Sequence, residues 1–473
     1  MFDKIHEECG VFGIFEKNKC NAVQSVYFGL YALQHRGQES CGIAVCNDGV
    51  FTHRKADGLV SEVFTSHELD GLGKGNIAVG HVRYSTTGGK NHNNIQPLVI
   101  RHVKGNLALV HNGNLVNASE IRSDFELSGA IFHGTSDTEA IAYSIVRERL
   151  SSASTEEAIE KAMPDIKGAY SCIVMTATKL IAFRDPDGFR PLCIGKTPDG
   201  AYVIASESCA LDSVGAVFIR DVMAGEIVVV SDEGLKSITT HCSGKNNICI
   251  FEYIYFARPD SVIENKSVHR ARINAGRILA ERFPVPADVV IGVPDSGLDS
   301  ALGYSQASGI PYGTGFIKNK YIGRSFIQPS QNQRESAVRI KLNVIGETVR
   351  NKRVVMIDDS IVRGTTCARI VRLLREAGAE EVHVRISAPP FIHSCYFGTD
   401  IDSEENLIAC RYDTDGIRDY IGADSLAFLP AEELSGIIGS NNFCNGCFTG
   451  NYPVDVSGAG SKNKFDLPIH NNA

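Results

Sequence analysis

The stretch VVMIDDSIVRGTT, residues 354–366, decides how the second half of the chain folds. An apolar run ends in two carboxylates, Asp358 and Asp359, and a helical pattern begins a few residues later. Gly364, Thr365 and Thr366 place backbone N–H groups and hydroxyls at the start of that helix, where the aligned peptide dipoles favour an anion such as phosphate. Two carboxylates just ahead of it can hold ribose hydroxyls or a Mg2+ ion, because hard oxygen ligands suit that metal. An isolated Asp-Asp pair reads more simply as a surface turn before a capped helix. The surrounding sequence decides between them.

Upstream lies DVVIGVP, a short apolar strand, followed by SGLDSALGYSQASG, which fits a helix. KRVVMIDD is a second strand and TTCARIVRLLREAGA a second helix, with Ile370, Leu373, Leu374 and Ala377 on one face. EVHVRISAP supplies another strand. Strand, helix, strand at this spacing predicts a parallel βαβ sheet. The first half, from Cys9 to about Ser243, reads differently. GVFGIF, SCGIAVC, NIAVGHVRYS, NLALVHNGNL, AYSCIVMTA, LIAFRD and AYVIAS are short apolar or alternating runs bounded by Gly, Asn and Asp. Two helical stretches interrupt them. One is TSDTEAIAYSIVRERL, with Ser136 or Asp137 as N-cap and Glu139 in its first turn. This predicts stacked, mostly antiparallel sheets with flanking helices. FEYIYFARPDSVIENKSVHRARINAGRILAERF, between the halves, reads as a junction plus a helix. The chain has two domains.

Composition narrows the function. The chain has 473 residues, 43% of them hydrophobic, and a formal charge of −8. Lys and Arg are scattered, without the basic footprint of a nucleic-acid binder. No apolar run approaches the roughly 18 residues of a membrane helix. The first eight residues, MFDKIHEE, lack the apolar core of a secretory leader. They read either as a ragged start to a strand or as a leader whose removal makes Cys9 the first residue. Fourteen cysteines in a chain without a signal peptide point to metal ligands and nucleophiles in a reducing compartment.

With these motifs in place, a resemblance emerges. VVMIDDSIVRGTT resembles the phosphoribosyl-diphosphate (PRPP) motif of type I phosphoribosyltransferases, and VIGVPDSG, residues 290–297, resembles their pyrophosphate-binding loop. It implies that Ser296, Asp358 and Asp359 hold PRPP and magnesium, and that Arg363, Gly364, Thr365 and Thr366 form the phosphate loop. Between the two motifs runs FIKNKYIGRSFIQPSQNQRESAVRIKLN, long and basic. It reads as a solvated connector or as a lid over 318–341, and a loop this long in a compact domain favours the lid.

In the first half ECGVFGI, LQHRGQES, HVRYSTTG, HNGNL and GTSDTE resemble the glutaminase domain of N-terminal-nucleophile amidotransferases. The two halves in this order are similar to the glutamine phosphoribosylpyrophosphate amidotransferases, from Cys9 to about Pro453. The resemblance implies a propeptide at 1–8 and a four-layer αββα N-terminal-nucleophile hydrolase domain at 9–243. A type I phosphoribosyltransferase parallel α/β domain at 244–453 and a loosely ordered tail at 454–473 complete it. The implied activity makes 5-phosphoribosylamine, glutamate and diphosphate from glutamine, water and PRPP. Cys9 is the implied nucleophile. A thiol of pKa about 8.5 needs a base, and a free α-amine of pKa about 7.7–8.0 can serve where an internal amide cannot. By the same resemblance Arg83 grips the glutamine carboxylate and Asp137 its α-amino group. Asn112, through its side-chain N–H, and Gly113, through its backbone N–H, form the oxyanion hole. Tyr255, Arg258 and Asp260 would line an ammonia path. The family further implies one Mg2+ per subunit, a cytoplasmic homotetramer and feedback by purine nucleotides, with neither nucleic acid nor membrane as partner.

Cys444 and Cys447 form a CxxC, which alone could be a redox pair, half a zinc site or coincidence. Cys249 and Cys395 lie in two further contexts of interest. In the iron–sulfur subgroup of this family, four cysteines so placed hold one [4Fe–4S] cluster per subunit, although zinc would accept the same four thiolates.

Overall fold

The computed structural model describes residues 9–17, 21–84, 92–319, 342–399, 401 and 403–459. The leader 1–8 and nearly all of the basic segment 318–341 lie outside the described residues.

The first domain is built on two antiparallel sheets. One has seven strands in the order Val217–Asp221, Cys193–Lys196, Tyr202–Ala205, Gly10–Phe15, Ile77–Arg83, Ser40–Asn47 and Val50–Asp57. The other has six: Gly234–Ile238, Ile227–Ser231, Leu180–Arg184, Gly168–Met175, Gly105–Leu115 and Leu98–His102. Alternation dictates the stacking, because successive side chains leave a strand on opposite faces. Val11, Phe15, Val79 and Ile77 meet Ala108, Val110, Ile173 and Met175 between the sheets. Phe12 and Ile14 point the other way, onto the helix Ala22–Ala32. That helix comes so close that a Cβ on Gly29 would stand 2.3 Å from the Phe12 ring. The outer face of the second sheet packs on Asp137–Ser151 and Thr155–Ala162. Helix, sheet, sheet, helix is the four-layer arrangement expected. The domain carries more helices than the two foreseen, including Ala22–Ala32, Ser66–Leu72, Ala118–Leu127 and Thr155–Ala162. Several are short, and the tertiary packing of one apolar face holds them rather than local propensity.

The second domain holds a parallel sheet in the order Val289–Gly292, Arg353–Asp358, Glu381–Ile386, Ser425–Phe428. Helices Val268–Arg282, Gly297–Ser308, Thr365–Glu376 and Thr414–Ile421 accompany it. The buried face of Thr365–Glu376 is Cys367, Ile370, Val371 and Leu374, turned from the expected stripe, since Leu373 and Ala377 are only partly covered. Val454 and Val456 of the tail also pack against this core. Among the described residues, no helix is long and apolar enough to cross a membrane.

The junction is the most polar part of the interior. FEYIYF forms a π-helical turn, Glu252–Phe256, and its first residue is a fully buried carboxylate. Arg36 of the first domain meets Glu252 with both terminal nitrogens, at 2.9 and 2.7 Å, and Glu207 at 2.6 Å. Arg190 reaches Glu252 at 3.3 Å. All four side chains are withdrawn from water. Glu207 continues the connection by accepting from the Ser261 hydroxyl at 2.6 Å and the Arg258 N–H at 2.9 Å. Burial works to raise the Glu207 carboxyl, but His35, 2.7 Å from Oε1, then Arg36 and the Ser261 hydroxyl outweigh it and hold the group well below the usual range. On the far side Arg272 caps the turn, donating to the carbonyls of Tyr253, Tyr255 and Ala257 at 2.7–3.0 Å.

Removing one member of such a network strands its partners. Arg36→Met is expected to destabilise the protein by about 3–5 kcal/mol, read as a fall in the thermal unfolding midpoint. The exposed i,i+4 pair Arg277–Glu281 is the comparison, and Arg277→Ala should leave the midpoint unmoved.

Candidate active sites

The first site lies in the crevice where the two antiparallel sheets open. Cys9 immediately precedes the buried strand Gly10–Phe15, so its thiol sits at the strand mouth, half-buried, 3.7 Å from the Tyr84 carbonyl. The Cys9 carbonyl accepts Arg36 Nε at 3.0 Å, which ties the residue to the junction network. Gly10 pairs with Val82, and that puts Arg83 at the neighbouring strand end.

Asn112 and Gly113 come from the facing sheet, and a histidine stitches the two together. His81, two residues before Arg83, places Nε2 3.1 Å from the carbonyl of His111, the residue before Asn112. Complete burial, with Arg83 as a lesser contribution, presses the His81 pKa down to about 3. The ring is therefore neutral, and Nε2, which faces an acceptor, carries its proton. On its other side the His111 N–H donates to Gln96 Oε1 at 2.6 Å, so both flanks of His111 are fixed.

Asn112 itself is 1% exposed, and its Nδ2 has no hydrogen-bond partner among the described residues. A buried donor left open is costly, so one that persists marks a place for an acceptor oxygen. Gly113 has φ of 142°, and a Cβ there would stand 2.1 Å from the Ala169 carbonyl. Only glycine fits.

Asp137 opens the helix Asp137–Ser151, with Ser136 as the N-cap. Its Oδ2 accepts the Leu115 N–H at 3.0 Å, and its Oδ1 lies 3.6 Å from His111 Nδ1. Burial works to raise the Asp137 pKa, but His111 and the hydrogen bonds outweigh it and hold the carboxyl below its ordinary range. The crevice thus pairs a cation, Arg83, with a carboxylate kept ionised. Those are the two ends an amino acid needs.

The second site lies at the carboxyl ends of the parallel strands. The Ser296 and Ser360 hydroxyls donate to the two oxygens of Asp359, each at 2.5 Å, and the Asp359 N–H donates to Asp358 Oδ1 at 3.0 Å. Both carboxylates are buried. Ser296 reaches them because Gly297, the next residue, lies so close to the Ile357 carbonyl that a Cβ would stand 2.5 Å away. Gly364, at φ +84°, caps Thr365–Glu376, leaving Arg363 and Thr365 exposed around the helix start.

The four cysteines foreseen as ligands come together. Cys249, Cys395, Cys444 and Cys447 line one enclosed, mainly apolar cavity with Phe189, Arg190 and Phe397. Backbone bonds from Cys444 N–H to Ile248 at 2.9 Å and from Ile250 N–H to Cys444 at 3.1 Å set two of the segments side by side. Burial, followed by the Cys395, Cys249 and Cys444 thiols, pushes the Cys447 pKa well up, and burial chiefly pushes Cys444 to about 12. Among the described residues no three His, Cys, Asp or Glu side chains converge on a single-ion position.

Of the three residues expected to line an ammonia path, Arg258 and Asp260 pair with each other at 2.5 Å, 39% and 51% exposed. Tyr255 packs partly buried against the second core. The sequence reading also missed Arg36, Arg190, Glu207, Glu252, His81 and His111 as working parts. Arg36 and His81 stand inside recognised motifs, yet nothing local distinguishes a buried arginine from a surface one.

Residues 81–213 match the model of the glutamine amidotransferase domain, and residues 263–389 that of the phosphoribosyl transferase domain. The molecule is therefore a glutamine amidotransferase joined to a phosphoribosyltransferase. The amidophosphoribosyltransferase of Bacillus subtilis is 50% identical over 459 residues, 96% of this chain and 95% of the relative. That of Methanocaldococcus jannaschii is 46% identical over 464 residues, 95% and 98% of the two chains. A solved structure of glutamine phosphoribosylpyrophosphate amidotransferase from B. subtilis, complexed with ADP and GMP, superposes with a TM-score of 0.88 at 49% identity. It covers 95% of this chain and 98% of that one. The chain belongs to the amidophosphoribosyltransferase family.

If Asn112 Nδ2 receives an oxyanion, Asn112→Ala should lower kcat for glutamine hydrolysis by about 10²–10³-fold with KM little changed. Steady-state glutamate release measures both.

Proposed function

We propose that the two sites divide the work of one reaction, in which glutamine, water and PRPP become 5-phosphoribosylamine, glutamate and diphosphate, the opening step of purine synthesis. The observation that carries the division is the buried Asn112 Nδ2, unpartnered among the described residues, beside the strand of Cys9 and Arg83, within a chain that also holds Ser296, Asp358 and Asp359 together. With 1–8 removed, the α-amine of Cys9 takes the thiol proton, and Sγ attacks the glutamine carboxamide. Arg83 and Asp137 hold the substrate by its carboxylate and its amine. Asn112 Nδ2 and the Gly113 N–H meet the developing oxyanion, and the amine returns the proton to the leaving ammonia. Water then releases glutamate from the thioester.

Ammonia displaces diphosphate at the ribose anomeric carbon in the second site. Asp358 and Asp359 suit the ribose hydroxyls or one Mg2+, being paired carboxylates of the hard-oxygen kind that metal takes. When bound, Mg2+ supplies charge neutralisation for the leaving diphosphate. Arg363 to Thr366 receive the 5′-phosphate at the helix start. Regulation belongs to the same reading. Purine nucleotides are the feedback inhibitors, in line with ADP and GMP bound to the B. subtilis relative, and the working form is a homotetramer.

The cysteine cavity suits a [4Fe–4S] cluster. Four thiolates are the ligand count of such a cluster, and the enclosed, mainly apolar cavity that all four cysteines line supports that reading. Thiols whose pKa is raised by burial and by one another gain a cationic partner when it binds. Its role here is structural, joining segments near residues 249, 395 and 444–447.

Two measurements test these assignments. Cys9→Ala should abolish glutamine use and leave synthesis from added ammonia largely intact. Loss of both activities in a folded protein would remove the division of labour. Anaerobically purified protein should carry about four irons per chain, and Cys447→Ser should lose them with a lowered thermal midpoint. Stoichiometric zinc without iron or sulfide would overturn the cluster.

A further inference from the structure

The segment 396–399 belongs to the second domain, yet most of its polar contacts are with the first. Asn114 Nδ2 donates to the Tyr396 carbonyl at 2.8 Å. Arg190 donates to the Phe397 carbonyl through Nε at 3.1 Å and Nη2 at 2.8 Å, and from Nη2 to Thr399 Oγ1 at 3.2 Å. The Phe397 ring stacks on Phe189 with centroids 4.1 Å apart. Between these anchors lies Gly398, at φ +117°, where a Cβ would come within 3.3 Å of the Gly113 carbonyl carbon and 3.4 Å of its Cα. Gly113 is therefore held between two backbones, Ala169 on one side and Gly398 on the other.

We propose that residues 396–399 form the back wall of the oxyanion hole, with Gly398 and Asn114 as positioning residues that fix the Gly113 N–H. The inference rests on the reading of Asn112 and Gly113 as oxyanion donors. Its physical basis is that such donors act only when preorganised, so a displacement well under the length of a hydrogen bond costs rate without costing substrate affinity. A side chain on Gly398 presses on Gly113 directly, and its backbone conformation is one that L residues rarely adopt. Asn114→Asp removes the donor that grips Tyr396 and sets a carboxylate against its carbonyl, with almost no change in shape. The first domain thus borrows part of its catalytic geometry from the second.

The test uses the full-length processed enzyme with Gly398→Ala and, independently, Asn114→Asp. Each should lower kcat for glutamine hydrolysis about tenfold or more, while the glutamine KM and ammonia-dependent synthesis stay within about twofold. A second readout isolates the hole. With the γ-aldehyde analogue of glutamine, Cys9 Sγ bonds to the carbonyl carbon as the C=O π bond breaks, its electron pair moves onto the oxygen that the hole binds, and the thiol proton ends on that oxygen. Both variants should bind this tetrahedral adduct about tenfold more weakly and bind glutamate as the wild type does. Unchanged kcat and aldehyde affinity in both variants would overturn the proposal. So would a rise in KM alone, or an equal fall in the glutamine and ammonia rates. Failure of the wild type to bind the aldehyde would instead sink the assignment of Cys9 and Asn112 itself.

Discussion

Arg36 does three jobs with one guanidinium. It binds Glu252 of the second domain, Glu207 of the first, and the carbonyl of Cys9. Desolvating a charged group costs several kcal/mol, so a buried arginine is tolerated only where partners stand ready in fixed geometry. That requirement works as a constraint on docking. The two domains can meet in one pose that leaves Arg36, Arg190, Glu207 and Glu252 all satisfied, and in that pose the backbone of Cys9 is held. Hydrophobic burial at the junction, where Val116, Ala169 and Phe189 join the second core, supplies adhesion without direction. The charges supply the direction.

Within that frame the glutamine crevice is a product of sheet stacking. Cys9 and Arg83 arrive on adjacent strands of one sheet, Asn112 and Gly113 on the other, and the His81–His111 bond sets them in register. A histidine kept neutral by burial is well suited to this, because a protonated ring would repel the neighbouring Arg83 guanidinium. Asp137 is held ionised by the opposite means, through His111 and backbone donors. One crevice therefore keeps a base uncharged and an acid charged by environment alone.

What the sequence disclosed was what is local. The strand of Ile357, the carboxylates after it and the glycine turn before Thr365 are contiguous, and a contiguous pattern survives translation into structure almost unchanged. The sandwich was legible for the same reason, since period-two alternation is written along each strand. Helix faces were less secure. The stripe on Thr365–Glu376 turned because Val371 and Cys367 are as apolar as the residues expected beside Ile370. The junction was legible as a segment, but the charges that fix it were not. Arg36 and Glu252 stand 216 residues apart, and neither looks unlike a solvated charge.

The same separation has a consequence for how the protein is born. A ribosome adding roughly 5–20 residues per second needs on the order of 10–40 s to travel the 216 residues from Arg36 to Glu252. Arg190 then waits again, since its carbonyl partner on Phe397 follows 207 residues later. Near the end of that interval the nascent chain has Glu207 to meet Arg36, but not yet Glu252. A chain truncated before the second domain emerges keeps Glu207 for Arg36 but lacks Glu252 and the Phe397 carbonyl, so Arg190 loses the partners that fix how the domains meet.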